Sequence, residues 1–145
     1  MLQILKKSSL THLYEGGESM SNIFSHLDKK LQNAIAKRNW QPTPIQTSAI
    51  PDLIAGKDRL LIAPTGSGKT LSAIFPVIHR CLTENWQPLS ILYITPLRAL
   101  NRDVDRRLQE LAESVGLSVG IRHGDTSQSD RAKHVRKPPH IMVTT

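Results

Sequence analysis

Between residues 27 and 137 the apolar positions change period several times, and each change marks an element. Leu27, Leu31 and Ile35 recur every fourth residue, which predicts an amphipathic helix ending near Arg38. Thr43 and Pro44 read as the N-cap and first residue of a second helix that runs toward Ala55 and stops at Gly56, with Pro51 expected to disturb its middle. Residues 60–63 form a short apolar run of strand length, and beyond a glycine-rich turn a mostly apolar helix is predicted from about 69 to 84, kinked at Pro76. Residues 90–95 read as the next strand. The helix after it aligns Leu97, Leu100, Val104, Leu108, Leu111 and Val115 on one side, carries a basic opposite face toward its start, and stops at Gly116. A third strand over 117–121, a polar helix over 127–136, a break at Pro138-Pro139 and a fourth strand over 140–145 complete the pattern. Strands alternating with helices are the signature of βαβ units, so the expected class is α/β, with a parallel sheet and flanking helices in three α/β/α layers.

The first nineteen residues share none of this periodicity, and residues 1–19 read as an unstructured or non-native extension of a single domain over 20–145. Glu15-Gly16-Gly17-Glu18 can be encoded by GAAGGAGGTGAA, a strong bacterial ribosome-binding sequence just upstream of Met20. A chain of 145 residues with 39% hydrophobic and 21% charged residues suits one compact domain. No apolar run approaches the roughly 20 residues of a membrane span, and the start lacks a secretory pattern, so a cytoplasmic location and no membrane partner are expected. Cys81 is the one cysteine, which excludes internal disulfides and a thiol-rich zinc site, and it reads as packing. The net charge of +7 is concentrated in Arg98, Arg102, Arg106, Arg107, Arg122, Arg131, Lys133, Arg136 and Lys137. Charge alone fits either a polyanionic partner or a solvated basic face.

Candidate chemistry changes that balance. Ala63-Pro64-Thr65-Gly66-Ser67-Gly68-Lys69-Thr70 stands between a predicted strand and a predicted helix, as a phosphate loop requires. In such a loop successive backbone N–H groups and a helix N-terminus face the phosphates, and glycine permits their close approach. Lys69 then supplies a point charge to the same phosphates, and the Thr70 hydroxyl is a ligand for Mg²⁺. Thr65, Gly66, Ser67 and Gly68 complete the cradle. Ala63 occupies the position where the general pattern has glycine.

The form Ala-x-Thr-Gly-x-Gly-Lys-Thr resembles that of superfamily 2 DEAD/DEAH-box-type helicases. Gln41-Pro42-Thr43-Pro44-Ile45-Gln46 resembles their Q motif, which implies that Gln46 reads the adenine edge; an amide can donate and accept at once, as adenine N6 and N7 demand. Phe24 stands at roughly the family's spacing for an aromatic that stacks on the base, with an ordinary core aromatic as the competing reading and Trp40 as a nearer rival. Residues Ile94 to Asn101 resemble motif Ia, implying nucleic-acid backbone contacts by Pro96, Arg98 and Arg102. His123-Gly124-Asp125-Thr126 and Val143-Thr144-Thr145 stand where the family has its glycine loop and motif Ib, adding Gly124 and Thr144 to that track. Across residues 22–145 the wording is most similar to the large helicase-related (Lhr) branch. The resemblance implies the N-terminal part of a RecA-like first motor domain, incomplete at its C-terminus, using ATP and Mg²⁺ on nucleic acid, DNA rather than RNA.

Hydrolysis in this family needs an Asp-Glu motif at the end of an apolar strand, and the sequence contains no Asp-Glu pair. No catalytic set is complete in this chain, which is expected to be inactive by itself, with the remainder of the motor as its natural partner. Two functional readings follow: the ATP- and nucleic-acid-binding portion of a helicase, or a non-catalytic binding fragment of an interrupted helicase gene. A P-loop kinase is a third reading, but it would lack the glutamine adenine sensor.

Overall fold

The computed structural model describes residues 22–95, 102–124 and 126–145, with the side chains of 102–105 outside that description. The extension over 1–19 lies outside the described residues. A short 3-10 turn, Ile23–His26, leads into α1, Lys29–Ala36, which Asp28 caps by accepting from the Lys30 N–H at 2.8 Å. Pro44–Ile54 forms α2, with Thr43 as N-cap and Pro44 at the first helical position, where its missing N–H costs nothing. Helix α3, Lys69–Thr83, starts from Gly68, and α4 spans Arg102–Ser114. Helix α5, Gln128–Arg136, is capped by Ser127, whose side chain accepts from the Asp130 N–H.

The helices share one apolar core. Leu31 and Ile35 of α1, Ile50 of α2, Phe75 and Ile78 of α3, and Leu108 and Leu111 of α4 are all buried. Phe24 meets Phe75 edge-to-face at 5.4 Å, and Trp40 tilts against the same ring at 5.9 Å. Arg38 ties α1 to α4, donating to the Ala34 carbonyl at 2.8 Å and to the Glu110 carbonyl at 3.2 Å. Cys81 is buried in this core, and burial pushes its thiol pKa up.

The strands β1, Ile91–Ile94; β2, Val119–Arg122; and β3, Ile141–Thr144 form a parallel sheet in the order β1-β3-β2. Because side chains alternate across a pleat, Ile91, Tyr93, Val119, Ile121, Ile141 and Val143 face the helical core together. On the reverse face, Gly120 lies under α5, where an added Cβ would stand 3.0 Å from His134 Nε2. Leu92 and Ile94 on that face are 62% and 67% exposed. Gly120 of β2 and the buried Met142 of β3 on this second face are therefore covered, while its β1 side is open among the described residues.

Three expectations need correction or refinement. Residues 60–63 join no ladder in the described structure, and Leu60 and Ile62 are 58% and 79% exposed. An apolar run becomes a strand only when a neighbour supplies hydrogen-bond partners, and among the described residues β1 and β2 pair only with β3, leaving 60–63 without a ladder. Pro51 does not end α2: the helix loses one donor but keeps its capped start and its buried Ala49 and Ile50 against α3. Likewise α3 continues through Pro76, which is itself buried in the core.

Candidate nucleotide site and nucleic-acid edge

The phosphate loop takes its shape from two glycines in left-handed conformation, Gly66 at φ 82° and Gly68 at φ 92°. A Cβ on Gly66 would meet nothing within 4 Å, so conformation alone demands glycine there. At Gly68 a Cβ would stand 2.7 Å from Gln46 Nε2 and 3.0 Å from Thr43 Oγ1, so close approach is a second requirement. The loop closes with the Ser67 N–H donating to the Pro64 carbonyl at 3.3 Å. Lys69 curls back over it, its Nζ donating to the carbonyls of Ala63 at 2.6 Å and Pro64 at 2.8 Å.

Gln46 is the link between the upstream motif and this loop. Its Oε1 accepts from the Thr43 N–H at 3.0 Å, and its Nε2 donates to the Gly68 carbonyl at 3.4 Å. The residue is buried, at 3% exposure, with its amide engaged inside the protein. Phe24 is buried too, so most of its ring area serves the core through Phe75. Both residues still line a cavity of about 580 Å³, within the size range of small-molecule sites. Trp40, Thr65, Gly66, Gly68, Lys69 and Thr70 line it as well. Arg107 and Leu108 enter from α4, so a cation assigned from sequence only to the general basic excess stands at the nucleotide cavity. The spacing of Leu108 marks it as a core position, but nothing in the sequence says that its neighbour turns toward the loop.

These residues suit a nucleotide phosphate on structural grounds. The glycines open the backbone, the N-terminus of the 15-residue α3 faces the loop, and Ser67 Oγ is buried without a hydrogen-bond partner among the described residues. Thr70, at the second position of α3, offers the hydroxyl that a nucleotide-bound Mg²⁺ requires.

A second set of residues gathers at the C-terminal edge of the parallel sheet, where α/β folds bind ligands. The Thr95 N–H donates to the Thr144 carbonyl at 2.9 Å, and Thr144 Oγ1 donates to the Arg122 carbonyl at 2.9 Å. The Thr144 hydroxyl proton is therefore committed within the sheet, leaving its oxygen as an acceptor. Gly124 is exposed in the turn after β2, and Arg122 is exposed at the strand end. Pro96 and Arg98 lie outside the described residues; Arg102 opens α4, with its side chain outside them.

Asp52, at the end of α2, is held below the usual carboxylate range by Arg59 and then Lys57. That pairing anchors the segment that leads into the phosphate loop.

The DEAD/DEAH box helicase family model matches residues 43–145, and the chain belongs to that family. Within it, the chain matches the large helicase-related branch. It is 35% identical to the ATP-dependent helicase Lhr-Core of Methanocaldococcus jannaschii over 88% of its own length, and 37% identical to the Lhr helicase/uracil glycosylase of Escherichia coli over 76%. The chain spans 17% and 9% of the lengths of those two relatives. Among solved structures, Mycobacterium smegmatis helicase Lhr bound to ssDNA and AMP-PNP superposes with a TM-score of 0.70 at 32% identity, covering 86% of this chain and 18% of that one. The RNA helicase Prp28 of Chaetomium thermophilum bound to ADP gives 0.76 at 26% identity, covering 99% and 39%. The fold is thus part of a RecA-like helicase domain, and no helix among the described residues is long and apolar enough to cross a membrane.

Proposed function

We propose that the cavity binds ATP with Mg²⁺ and that the C-terminal edge of the sheet holds a nucleic-acid backbone. The observation that carries the first half is the shared cavity itself. Gln46 and Phe24 stand at one part of its lining, Lys69 and Thr70 at another, so an adenine sensor and a triphosphate cradle open onto one space. Lys69 exchanges its loop carbonyls for phosphate oxygens, a charge-assisted and stronger pairing. Thr70 and the α3 N-terminus bind metal and phosphate, and Gln46, braced against Gly68, reports on the base beside the loop. The nucleic-acid half rests on Arg98, Arg102, Arg122, Gly124 and Thr144 with their neighbouring loops. Single-stranded DNA is the proposed polymer, as in the M. smegmatis complex. A cytoplasmic location and the remainder of a helicase motor as partner complete the reading.

Base selectivity tests the assignment of Gln46. Gln46→Glu keeps the oxygen that accepts from Thr43 and loses the amide donor. Competition binding is expected to show that the wild type prefers ATP over GTP by on the order of tenfold and that the variant loses that preference, as one hydrogen bond implies. Equal wild-type affinity for the two nucleotides would remove the adenine role.

A second reading is a non-catalytic binding fragment, the chain spanning 17% of the length of its M. jannaschii relative. Steady-state turnover separates the two. ATP hydrolysis that disappears in Lys69→Ala supports an active motor portion, and none at high protein concentration supports the fragment.

A further inference from the structure

Arg131 belongs to the basic excess of the chain, but its guanidinium faces the protein. Its Nε donates to the Thr126 carbonyl at 3.0 Å, and its Nη2 donates to the carbonyls of Gly124 at 2.9 Å and His123 at 3.5 Å. The same turn is closed from within, by the His123 N–H donating to Thr126 Oγ1 at 2.7 Å and the Thr126 N–H donating to the His123 carbonyl at 3.2 Å. Arg131 sits in the first half of α5, whose start is fixed by the Ser127 cap, so a helix supplies the anchor. Three carbonyls drawn to one cation remove much of the turn's negative surface. The exposed Gly124 is left with its N–H lacking an acceptor among the described residues, beside the exposed Arg122. A loop with fastened carbonyls and a free donor is set up for an anion.

We infer that Arg131 is a positioning residue of the nucleic-acid edge: it holds the backbone of His123, Gly124 and Thr126 in a phosphate-binding arrangement without touching phosphate itself. This rests on the nucleic-acid reading of that edge. A lysine keeps the charge but has no planar fork to span several carbonyls, so charge and geometry can be separated.

The test uses the full chain, a fluorescent oligothymidylate and anisotropy titrations over a range of KCl concentrations, with Arg131→Gln, Arg131→Lys and Arg122→Gln. Both Arg131 variants are expected to weaken binding by on the order of tenfold, as loss of a pre-organising partner does, with the wild-type salt slope and wild-type ATP affinity retained. Arg122→Gln is expected to shallow the slope by about 0.7, the signature of one lost phosphate contact on a single strand. The inference is overturned if Arg131→Gln shallows the slope by about that amount while Arg131→Lys binds normally, since Arg131 is then a contact. It is also overturned if neither variant changes affinity, or if both lose ATP binding as well. A wild-type chain without affinity for the oligonucleotide overturns the nucleic-acid reading itself, and this inference with it.

Discussion

Gly68 joins conformation, packing and chemistry in one residue. Its φ of 92° is strained for any side chain, and a Cβ would collide with Gln46 Nε2 at 2.7 Å. Gly68→Ala is therefore expected to cost about 1–3 kcal/mol of stability, measured by urea unfolding, and to reduce ATP affinity as Gln46 is displaced. An alanine variant with unchanged midpoint and affinity would show that the loop relaxes freely. At this scale the sequence yields which residues carry chemistry but not how they are spent. The spacing that marks Gln46 and Phe24 says nothing about the bond from Gln46 to Gly68 or the ring contact between Phe24 and Phe75, because both depend on how α2, α3 and the 3-10 turn pack. Thr144 and Arg131 show the same gap, since each commits donors to carbonyls that are remote in sequence or across a turn.

Elements were legible wherever a local rule governs them. The Thr43–Pro44 start of α2 and the Gly56 and Gly116 stops, at φ 76° and 88°, are set within a few residues of chain. The run over 60–63 was not, because pairing is a property of two segments. Helix α3 makes a pH prediction that belongs at this level. Burial holds the His79 imidazole below the ordinary histidine value of about 6.5, against the upward pull of Asp28 and Glu84. With the folded value depressed, the unfolded chain takes up the proton first, so the stability contribution is present above about pH 6.5 and is lost as pH falls below it. Denaturant midpoints are expected to drop between pH 7 and pH 5.5, and His79→Gln to flatten that part of the profile. A wild-type midpoint constant over that range would exclude the effect.

At the scale of the whole molecule, the apolar surface is only partly enclosed. A groove of about 360 Å³ lies between α3 and β1, lined by residues such as Val77, Tyr93 and Leu108; Leu92 and Ile94 stand exposed on the open face of β1, and Leu60 and Ile62 are exposed in the segment before the phosphate loop. Surface of this kind promotes association. The chain is expected to associate in a concentration-dependent way in light scattering, and Leu92→Lys with Ile94→Lys to reduce that association while leaving ATP affinity intact, since neither residue borders the nucleotide cavity. No such change would place the adhesive surface elsewhere. The central claim is that the cavity around Lys69 holds a triphosphate, and calorimetric titration of MgATP into the wild-type chain and into Lys69→Ala tests it most directly. Saturable one-to-one binding that weakens by at least on the order of a hundredfold in the variant is the predicted result, as loss of a charged phosphate contact implies; equal binding by both proteins, or no binding by the wild type, would contradict it.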